Sequence, residues 1–248
     1  MRLALLADLH ANLEAVTACL ADAREHGAER LAFLGDLVGY GADPGAVVDL
    51  VRSHVERGAL AVKGNHDAAA ITGKSDFMHE AAEIAVAWTR ARLDDAQREF
   101  LASLPLVVRE GNLFLVHASA EAPQEWIYVT DPLRAGRALA ASAPASWVFC
   151  GHVHEPVLYT AGAAGRPVPF RPVPGVAIPL PPHRRWLAIV GSAGQPRDGN
   201  TAACYAMLDT DPPTLTFHRV AYDWRSAAAK VRSAGLPESL ARRLERGE

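Results

Sequence analysis

The most constraining feature of this sequence is a short apolar run that ends in glycine and is followed at once by polar side chains. It is clearest in residues 60–67, which read LAVKGNHD. The apolar part predicts a buried strand, because it is too short for a helix. We expect Gly64 to let the chain leave that strand through unusual backbone dihedral angles. The strand then delivers Asn65, His66 and Asp67 to the carboxyl end of a sheet, where open α/β folds bind ligands.

The same residue types also suit an ordinary turn, so this stretch is ambiguous by itself. Residues 2–7 and 31–34 are further apolar runs typical of strands, and polar residues follow each of them. After each run comes a helix signal, in which Asn12 or Asp43 can act as an N-cap before apolar residues at helical spacing. The order β-α-β-α-β predicts parallel strands joined by right-handed crossovers.

The middle of the chain predicts a helix over residues 75–93, with Phe77 and Ile84 on its apolar face, and a hairpin over residues 106–116. The segment 166–182 is rich in proline, which argues against a central strand there. Sequential antiparallel strands are predicted at 186–190, 203–208 and 214–220. The residues therefore predict an α/β fold in which one packed sheet is mostly parallel and the other more antiparallel, with helices outside. We expect a single domain over residues 1–248.

Composition excludes several classes of protein. The 248 residues are 50% hydrophobic and 21% charged, with a formal net charge of -3. The chain has no basic stripe, so duplex nucleic acid is not an expected partner, and no run approaches the ~18 apolar residues of a membrane span. Asp8 interrupts the N-terminal apolar run, which therefore does not resemble a signal peptide. Three cysteines without a CxxC motif fit reduced thiols, so we expect a cytoplasmic protein.

Polar side chains follow the predicted strands throughout the first 154 residues. They are Asp8, His10, Asp36, Asn65, His66, Asp67, His117, His152 and His154. Mixed imidazole, carboxylate and amide donors suit borderline divalent metals, and about seven such ligands are too many for one ion. Two ions about 3.5–4 Å apart can clamp the attacking and leaving oxygens of an in-line displacement at phosphorus and lower the pKa of a bridging water. We find no GxSxG or HExxH motif that offers another route.

Taken singly, each of these residues has a structural interpretation, such as a turn, a cap or a core histidine. The pair His152 and His154 is the most informative, because two imidazoles on one strand face are costly to bury without a partner. The remaining histidines lack such a context and are expected on the surface or on helix faces; they are His26, His54, His79, His183 and His218. The Arg242-Arg243 run is expected to form a solvated helix face.

Five motifs, taken in order, resemble the calcineurin-like metallophosphoesterase superfamily. They are Asp8-Leu9-His10, Gly35-Asp36, Gly64-Asn65-His66-Asp67, His117 and Gly151-His152-Val153-His154. The resemblance covers residues 1–160 by motif and, through residues 191–200, the whole chain. It implies a four-layer α/β/β/α sandwich in which two mixed β-sheets are flanked by helices.

The resemblance also implies a role for each polar residue. One metal ion is held by Asp8, His10 and His154, and a second by Asn65, His117 and His152, with Asp36 bridging both. His66 faces the substrate and either protonates the leaving oxygen or stabilises charge, while Asp67 orients it. The cofactors are two divalent ions, with Mn²⁺ expected and Fe, Zn, Ni or Co also compatible with these ligands.

The chain departs from the protein-phosphatase branch of the superfamily, which has Asp-Arg-Gly soon after the bridging Asp and Glu after the Asn-His pair. Val38-Gly39-Tyr40 replaces the arginine segment, and Asp67 stands where Glu would be. The arginine that clamps a phosphomonoester is therefore missing, which favours the bacterial phosphodiesterase-like branch. Arg197, in the loop of residues 191–200, is expected to supply the lost positive charge. Tyr40 is expected either to reach the substrate or to pack its own glycine-rich loop, residues 37–42.

The sequence thus predicts a dimetal phosphodiesterase that hydrolyses small or nucleotide-type phosphodiesters by attack of a metal-bridged hydroxide. The alternatives are a phosphomonoesterase or protein phosphatase, a dinucleoside polyphosphate hydrolase, and a catalytically silent scaffold. Silent scaffolds of this fold have lost metal-site histidines, whereas this chain keeps them. A small phosphoester is the expected partner, no membrane is expected, and the oligomeric state is left open. The segment 166–182 is expected to shape either the cleft or a subunit contact.

Overall fold

The structure is a computed structural model that describes residues 1–74, 78–161 and 166–248. Within these residues it contains two six-stranded sheets and eight α-helices. Phe77 and the predicted helix start at residue 75 lie outside the described residues.

The first sheet joins the N-terminal strands to strands from the end of the chain. Its order is β3-β2-β1-β11-β12-β9. β1 pairs in parallel with β2 and antiparallel with β11, so the sheet is mixed. Its strands are β1 (Arg2–Leu6), β2 (Arg30–Phe33), β3 (Leu60–Ala61), β9 (Ile178–Pro179), β11 (Ala203–Thr210) and β12 (Pro213–Val220).

The second sheet is built from the middle of the chain and has the order β4-β5-β6-β10-β7-β8. β6 lies parallel to both β5 and β10, whereas the outer pairs are antiparallel. Its strands are β4 (Val107–Glu110), β5 (Leu113–Val116), β6 (Trp147–Cys150), β7 (Val157–Ala161), β8 (Val168–Phe170) and β10 (Arg185–Ile189).

These pairings confirm two mixed sheets and correct the prediction of one mostly parallel and one more antiparallel sheet. The strand predicted at 186–190 belongs to the second sheet, where it lies between β6 and β7, while its two successors extend the first. An apolar run suits parallel or antiparallel pairing equally, so its partner depends on contacts made by distant residues. The proline-rich segment contributes β8 and β9, and both are edge strands, as a residue without an N–H donor requires.

Helices flank the two sheets, and local signals account for most of their ends. Asn12 accepts a hydrogen bond from the Ala15 N–H at 3.2 Å at the start of α1. Asp94 and Gln97 form a capping box at the start of α5. The helices are α1 (Leu13–Glu25), α2 (Pro44–Glu56), α3 (Asn65–Thr72), α4 (Glu80–Arg90), α5 (Asp95–Ser103), α6 (Pro132–Ala141), α7 (Trp224–Ser233) and α8 (Glu238–Arg246).

Two predictions about α4 are wrong in detail. The described helix begins at Glu80, where the His79 side chain accepts from the Ala82 N–H, so it is shorter than the predicted span. Ile84, predicted on the apolar face, is exposed. Ala85, which the same pattern predicts on the apolar face, is buried, together with its neighbours Ala82 and Val86.

The core has the layers of an α/β/β/α sandwich. Between the sheets pack large apolar side chains from both, including Leu5, Leu115, Phe149 and Phe217. α1 and α2 cover the outer face of the first sheet, and α6 covers that of the second. Across the parts of the chain described here, every helix is too short or too polar to serve as a membrane span.

The last two helices complete one wall of the candidate site. α7 and α8 bury a small apolar cluster that includes Val231, Leu240 and Leu244. Tyr40, from the glycine-rich loop after β2, packs into the same cluster. The C-terminal helices therefore hold a loop that lies directly beside the strand ends.

Candidate metal centre

The structure brings together all seven predicted metal ligands. They follow the ends of β1, β2, β3, β5 and β6, which meet at one edge of the sandwich, and are Asp8, His10, Asp36, Asn65, His117, His152 and His154. All are buried except Asn65, which is partly exposed. Two carboxylates and four imidazoles sharing a buried site require compensating charge or hydrogen bonds.

One cluster forms between the ends of β1 and β6. His10 Nε2 lies 3.2 Å from His154 Nε2, and His154 Nε2 lies 3.5 Å from Asp8 Oδ1. Asp36 Oδ2 is 3.7 Å from His10 Nε2. Donors bound at about 2.0–2.2 Å to one ion lie roughly 3.0–3.5 Å apart. The spacing therefore fits one divalent cation.

A second cluster centres on His117. Its Nε2 atom lies 3.1 Å from Asn65 Oδ1, 3.1 Å from His152 Nδ1 and 3.3 Å from Asp36 Oδ2. The same oxygen of Asp36 thus faces both clusters. That is the position of a carboxylate shared by two ions, and these donors also fit a divalent cation.

Hydrogen bonds to backbone carbonyls assign the histidine tautomers of the first cluster. His10 Nδ1 lies 3.2 Å from Val38 O, and His154 Nδ1 lies 2.6 Å from Gln195 O. A carbonyl only accepts, so both Nδ1 atoms carry the proton. Each neutral ring then turns a bare Nε2 lone pair towards the other. Two lone pairs 3.2 Å apart repel unless a cation lies near both.

The second cluster shows the same arrangement. His117 Nδ1 donates to Leu34 O at 2.8 Å, and His152 Nε2 donates to Trp126 O at 2.9 Å. The remaining nitrogens, His117 Nε2 and His152 Nδ1, therefore face each other. Carbonyl groups that fix the ligating nitrogen in this way are typical of the surroundings of metal sites.

Burial and neighbouring charges hold these groups in the protonation states that ligands need, with two exceptions. Burial lowers the pKa of His152 to about 3 and those of His10 and His154 well below the usual range. Burial opposes ionisation of Asp36, but His117 and His66 outweigh it and hold the pKa of Asp36 well below its usual range.

The two exceptions hold protons that a cation can displace. Burial raises the pKa of Asp8 to about 7, although the charge of His117 opposes it. Burial lowers the pKa of His117, but the charge of Asp36, a hydrogen bond to it and the charge of Asp8 outweigh that effect and raise it to about 9. Positive charge at His117 is thus strongly favoured, as expected where a cation fits.

The strand ends carry backbone strain. Asp8, His10, Asp36, His152 and His154 all have φ between 45° and 68°, in the left-handed region. Such a conformation costs about 1–3 kcal/mol for a non-glycine residue and is typical of functional sites. Hydrogen bonds between the strand ends offset this strain; for example, the His152 N–H donates to both carboxylate oxygens of Asp8 at 3.0 Å.

Glycine is needed at position 64 for a different reason from the predicted one, which was unusual backbone dihedral angles. Its φ of -99° and ψ of 174° are extended, not unusual. A Cβ atom there would collide with the Asp36 carboxylate and backbone. Glycine is required because two strand ends approach closely, and α3, which was not predicted, then begins at Asn65.

His66 lies against both clusters, but Asp67 does not orient it. The His66 N–H donates to Asp36 Oδ1 at 2.8 Å, and the ring lies edge-on to that of His10 at 4.9 Å. Asp67 instead accepts from three backbone N–H groups, those of Leu37, Val38 and Gly64, at 2.9, 3.2 and 2.9 Å. The prediction that Asp67 orients His66 is therefore wrong. Asp67 joins the loop after β2 to the start of α3 and so positions the ligands.

The structure places Tyr40 and Arg197 beside the clusters. Tyr40 is buried, and its ring centroid lies 4.5 Å from that of His10 and 4.4 Å from that of His66. This position favours the packing role over contact with substrate. The Arg197 guanidinium lies 5.6 Å above the Tyr40 ring, and its Nη2 donates to Gln195 Oε1 at 3.0 Å. Its Nε atom is buried without a hydrogen-bond partner among the described residues.

Two aromatic residues near the second cluster were not predicted. The Tyr128 ring stacks on that of His152, with centroids 3.8 Å apart and planes 25° apart, and remains 45% exposed. Trp126 supplies the carbonyl that accepts from His152. Both line a cavity of about 320 Å³ that Asn65 and His152 also border. Their only sequence signal is two aromatics in a polar loop between His117 and α6.

Arg243 was also missed, because the Arg242-Arg243 run was assigned to a solvated face. Arg242 is exposed, but the Arg243 guanidinium lies 5.7 Å above the Tyr40 ring. The apolar residues Leu240, Ala241 and Leu244 bury one face of α8, which brings Arg243 to the edge of the site. That helical spacing is the signal that could have found it.

The fold and the site together define a four-layer α/β sandwich protein with a candidate two-metal centre, in which one carboxylate is shared by two donor clusters. Residues 1–212 match the model of the calcineurin-like phosphoesterase superfamily domain, and the chain belongs to that superfamily. The superfamily is dimetal-dependent, and the two clusters have the donors that such a centre uses.

The chain is also similar to solved structures and to a curated protein. The chain is similar to a metallophosphoesterase from Sphaerobacter thermophilus, at 35% identity and a TM-score of 0.88, covering 100% of this chain and 99% of that one. An uncharacterised protein of Methanocaldococcus jannaschii is 32% identical over 98% of this chain and 96% of its own length. A hypothetical protein from Pyrococcus horikoshii shares the fold, with 18% identity, a TM-score of 0.80 and coverage of 100% and 98%.

Proposed function

We propose that this protein is a dimetal phosphodiesterase that hydrolyses small or nucleotide-type phosphodiesters. The observation that carries the proposal is that two imidazole nitrogens not bonded to a backbone carbonyl face each other in each cluster, with Asp36 Oδ2 between the clusters. One ion would be held by Asp8, His10, His154 and Asp36, and the other by Asp36, Asn65, His117 and His152. Two such ions would supply an activated water near neutral pH and would neutralise charge on phosphoryl oxygens.

The cavity beside the second cluster supports a diester over a monoester. A diester carries a second organic group, which needs space next to the reacting phosphorus. The cavity of about 320 Å³ offers that space, and the exposed ring of Tyr128 offers a surface on which a planar group can stack. The segment Val38-Gly39-Tyr40 stands where the protein-phosphatase branch has the arginine that binds the extra charge of a monoester, and the Val38 carbonyl holds His10.

His66 supports the reaction as a neutral hydrogen-bond donor. Burial lowers the pKa of His66 to about 4, with the charge of Asp36 opposing this effect, so the ring is neutral at pH 7. Its Nδ1 atom is buried with no hydrogen-bond partner in the parts of the chain described. We therefore assign His66 to stabilising charge on the substrate rather than to protonating the leaving oxygen.

The remaining parts of the proposal concern the metal and the setting. We propose Mn²⁺ as the ion, since carboxylate, imidazole and amide donors suit it, with Fe, Zn, Ni and Co as alternatives. The three cysteines are buried and unpaired with one another, which supports a reducing, cytoplasmic setting. The substrate would be a small phosphoester, with neither duplex nucleic acid nor membrane as a partner.

A comparison of two chromogenic substrates tests the proposal. The protein loaded with Mn²⁺ should turn over bis-p-nitrophenyl phosphate with a higher kcat/KM than p-nitrophenyl phosphate. Preference for the monoester would contradict the diester assignment. Absence of turnover on a broad phosphoester panel, including dinucleoside polyphosphates, with two ions bound would favour a silent scaffold.

The cavity can be tested separately with Tyr128→Ala. Loss of the stacking surface should raise KM about 5–15-fold for a nucleoside-containing diester, because base stacking on an aromatic ring contributes about 1–3 kcal/mol, part of which this exposed ring supplies. kcat and metal content should not change. An equal KM for the variant and the parent protein would contradict the assigned binding of the second ester group.

A further inference from the structure

A third group of metal-binding side chains lies away from the centre described above. Asp22 and His26 are near the end of α1, and His218 is on β12. One donor atom of each lies within 4.8 Å of the other two. The group shares no residue with the dimetal clusters. His26 and His218 were expected on surface or helix faces, and β12 instead brings His218 to α1.

We propose that Asp22, His26 and His218 form a binding site for a divalent first-row cation, with Zn²⁺ the best match. Two imidazoles and one carboxylate are a donor set that zinc accepts, and three protein ligands leave a fourth position for water. Mg²⁺ and Ca²⁺ prefer sites made of oxygen atoms alone.

The distances within the group suit a single small cation. Asp22 Oδ2 lies 3.3 Å from His26 Nδ1 and 3.8 Å from His218 Nδ1. Tetrahedral ligands at about 2.0–2.1 Å from zinc stand about 3.4 Å apart, so shifts of a few tenths of an ångström suffice. The two imidazole centroids lie 4.4 Å apart, with planes at 61°.

Neighbouring groups position the three donors. The Tyr205 hydroxyl donates to Asp22 Oδ2 at 2.6 Å, and its ring stacks on that of His218, with centroids 4.8 Å apart and planes at 12°. His26 Nδ1 also lies 2.9 Å from the Asp22 carbonyl oxygen, and metal binding at Nδ1 would replace that contact. A hydrogen-bonded carboxylate is a support that metal sites use.

Exposure and charge allow a cation to enter and bind. The His26 side chain is 50% exposed, so the site opens to solvent and the ring can turn to present either nitrogen. The His218 side chain is only 12% exposed, and burial together with His26 lowers its pKa, which leaves a lone pair free at neutral pH. The carboxylate of Asp22 offsets one of the two positive charges. A bound ion would tie the end of α1 to β12.

Equilibrium dialysis against Zn²⁺ with elemental analysis tests the site in the full-length protein. The parent should hold one more ion per chain than His26→Ala, His218→Ala or Asp22→Asn. His183→Ala, which removes an exposed histidine elsewhere, should match the parent. Equal zinc content in the parent and in both histidine variants would overturn the proposal, as would binding only at millimolar concentrations.

Thermal unfolding gives a second readout. An ion at one hundred times its Kd stabilises the folded state by about 2.7 kcal/mol, so zinc at that ratio should raise the Tm of the parent more than that of His26→Ala. Because His26 is half-exposed, this variant should fold even if His218→Ala, which removes packing against Tyr205, does not. An identical zinc-induced shift in the parent and in His26→Ala would contradict the site. Phosphodiester hydrolysis should be unchanged in His26→Ala, so the test does not depend on the proposed function.

Discussion

Asp36→Asn should weaken both metal ions together. The Asp36 carboxylate is buried, and its Oδ2 lies 3.7 Å from His10 Nε2 in one cluster and 3.3 Å from His117 Nε2 in the other. Asparagine has nearly the same shape, and its amide oxygen can still accept the His66 N–H. The substitution therefore removes one negative charge and leaves the packing intact.

The magnitude follows from the loss of a charge that both ions share. Two unit charges about 4 Å apart in a partly shielded site interact by about 4 kcal/mol. Breaking a buried charge pair by removing one partner costs about 3–5 kcal/mol. Since 1.4 kcal/mol is a factor of ten, each dissociation constant should rise by roughly 10²–10⁴. The two values should rise by similar factors, because Oδ2 lies at similar distances from the two clusters.

Chelator-buffered Mn²⁺ titrations with elemental analysis would measure both affinities, and circular dichroism would confirm folding. Asp95→Asn, at an exposed position on α5, is the charge-matched control and should bind two ions like the parent. Asp8→Asn touches one cluster and should mainly remove the ion held with His10 and His154. If Asp36→Asn loses one ion and keeps the other at parental affinity, Asp36 is not the shared ligand.

Three further predictions follow from the same geometry. Gly64→Ala should lower the free energy of unfolding by about 1–3 kcal/mol, because the added Cβ overpacks against the Asp36 carboxylate, and both Tm and metal affinity should fall. Gly136→Ala is the control, since a Cβ there meets only ordinary contacts, and its Tm should not fall. Equal Tm values for the two variants would refute this prediction. Mn²⁺ affinity should rise from pH 6 to 9, because the ion must displace protons from Asp8, with a pKa of about 7, and from His117, with a pKa of about 9. A Mn²⁺ affinity that does not change with pH in calorimetry would contradict these pKa values. His66→Gln should lower kcat about 10²–10³-fold at unchanged metal content, and by the same factor for good and poor leaving groups; a loss confined to poor leaving groups would show that His66 is a general acid.

Local signals in the sequence predicted most helices, the hairpin and the absence of a central strand in the proline-rich segment. The N-cap at Asn12 and the capping box at Asp94 depend on residues three apart, so they are visible without a partner element. The proline-rich segment could not supply a central strand because proline lacks an N–H donor. The assignment of β10 to the second sheet had no such signal, since its pairing with β6 and β7 depends on distant strands.

The candidate site also divides into features that neighbouring residues predict and features that depend on distant parts of the chain. The donors follow apolar runs in order, so the order of the motifs was enough to predict the seven residues that the structure brings together. The role of Asp67 was not predictable, because its three hydrogen bonds run to backbone groups, two of them 29 and 30 residues away. Tyr128 and Arg243 reach the site from a loop and from the last helix.

The sequence by itself determined which side chains lie at strand ends, because strand runs, caps and turns depend on neighbouring residues. Only the tertiary structure decided which nitrogen of each histidine carries a proton, why Gly64 must lack a side chain, and that His218 meets α1. Each of these depends on a carbonyl, a carboxylate or a helix from another part of the chain. Such contacts exist only once the two sheets pack, and no spacing along the chain encodes them.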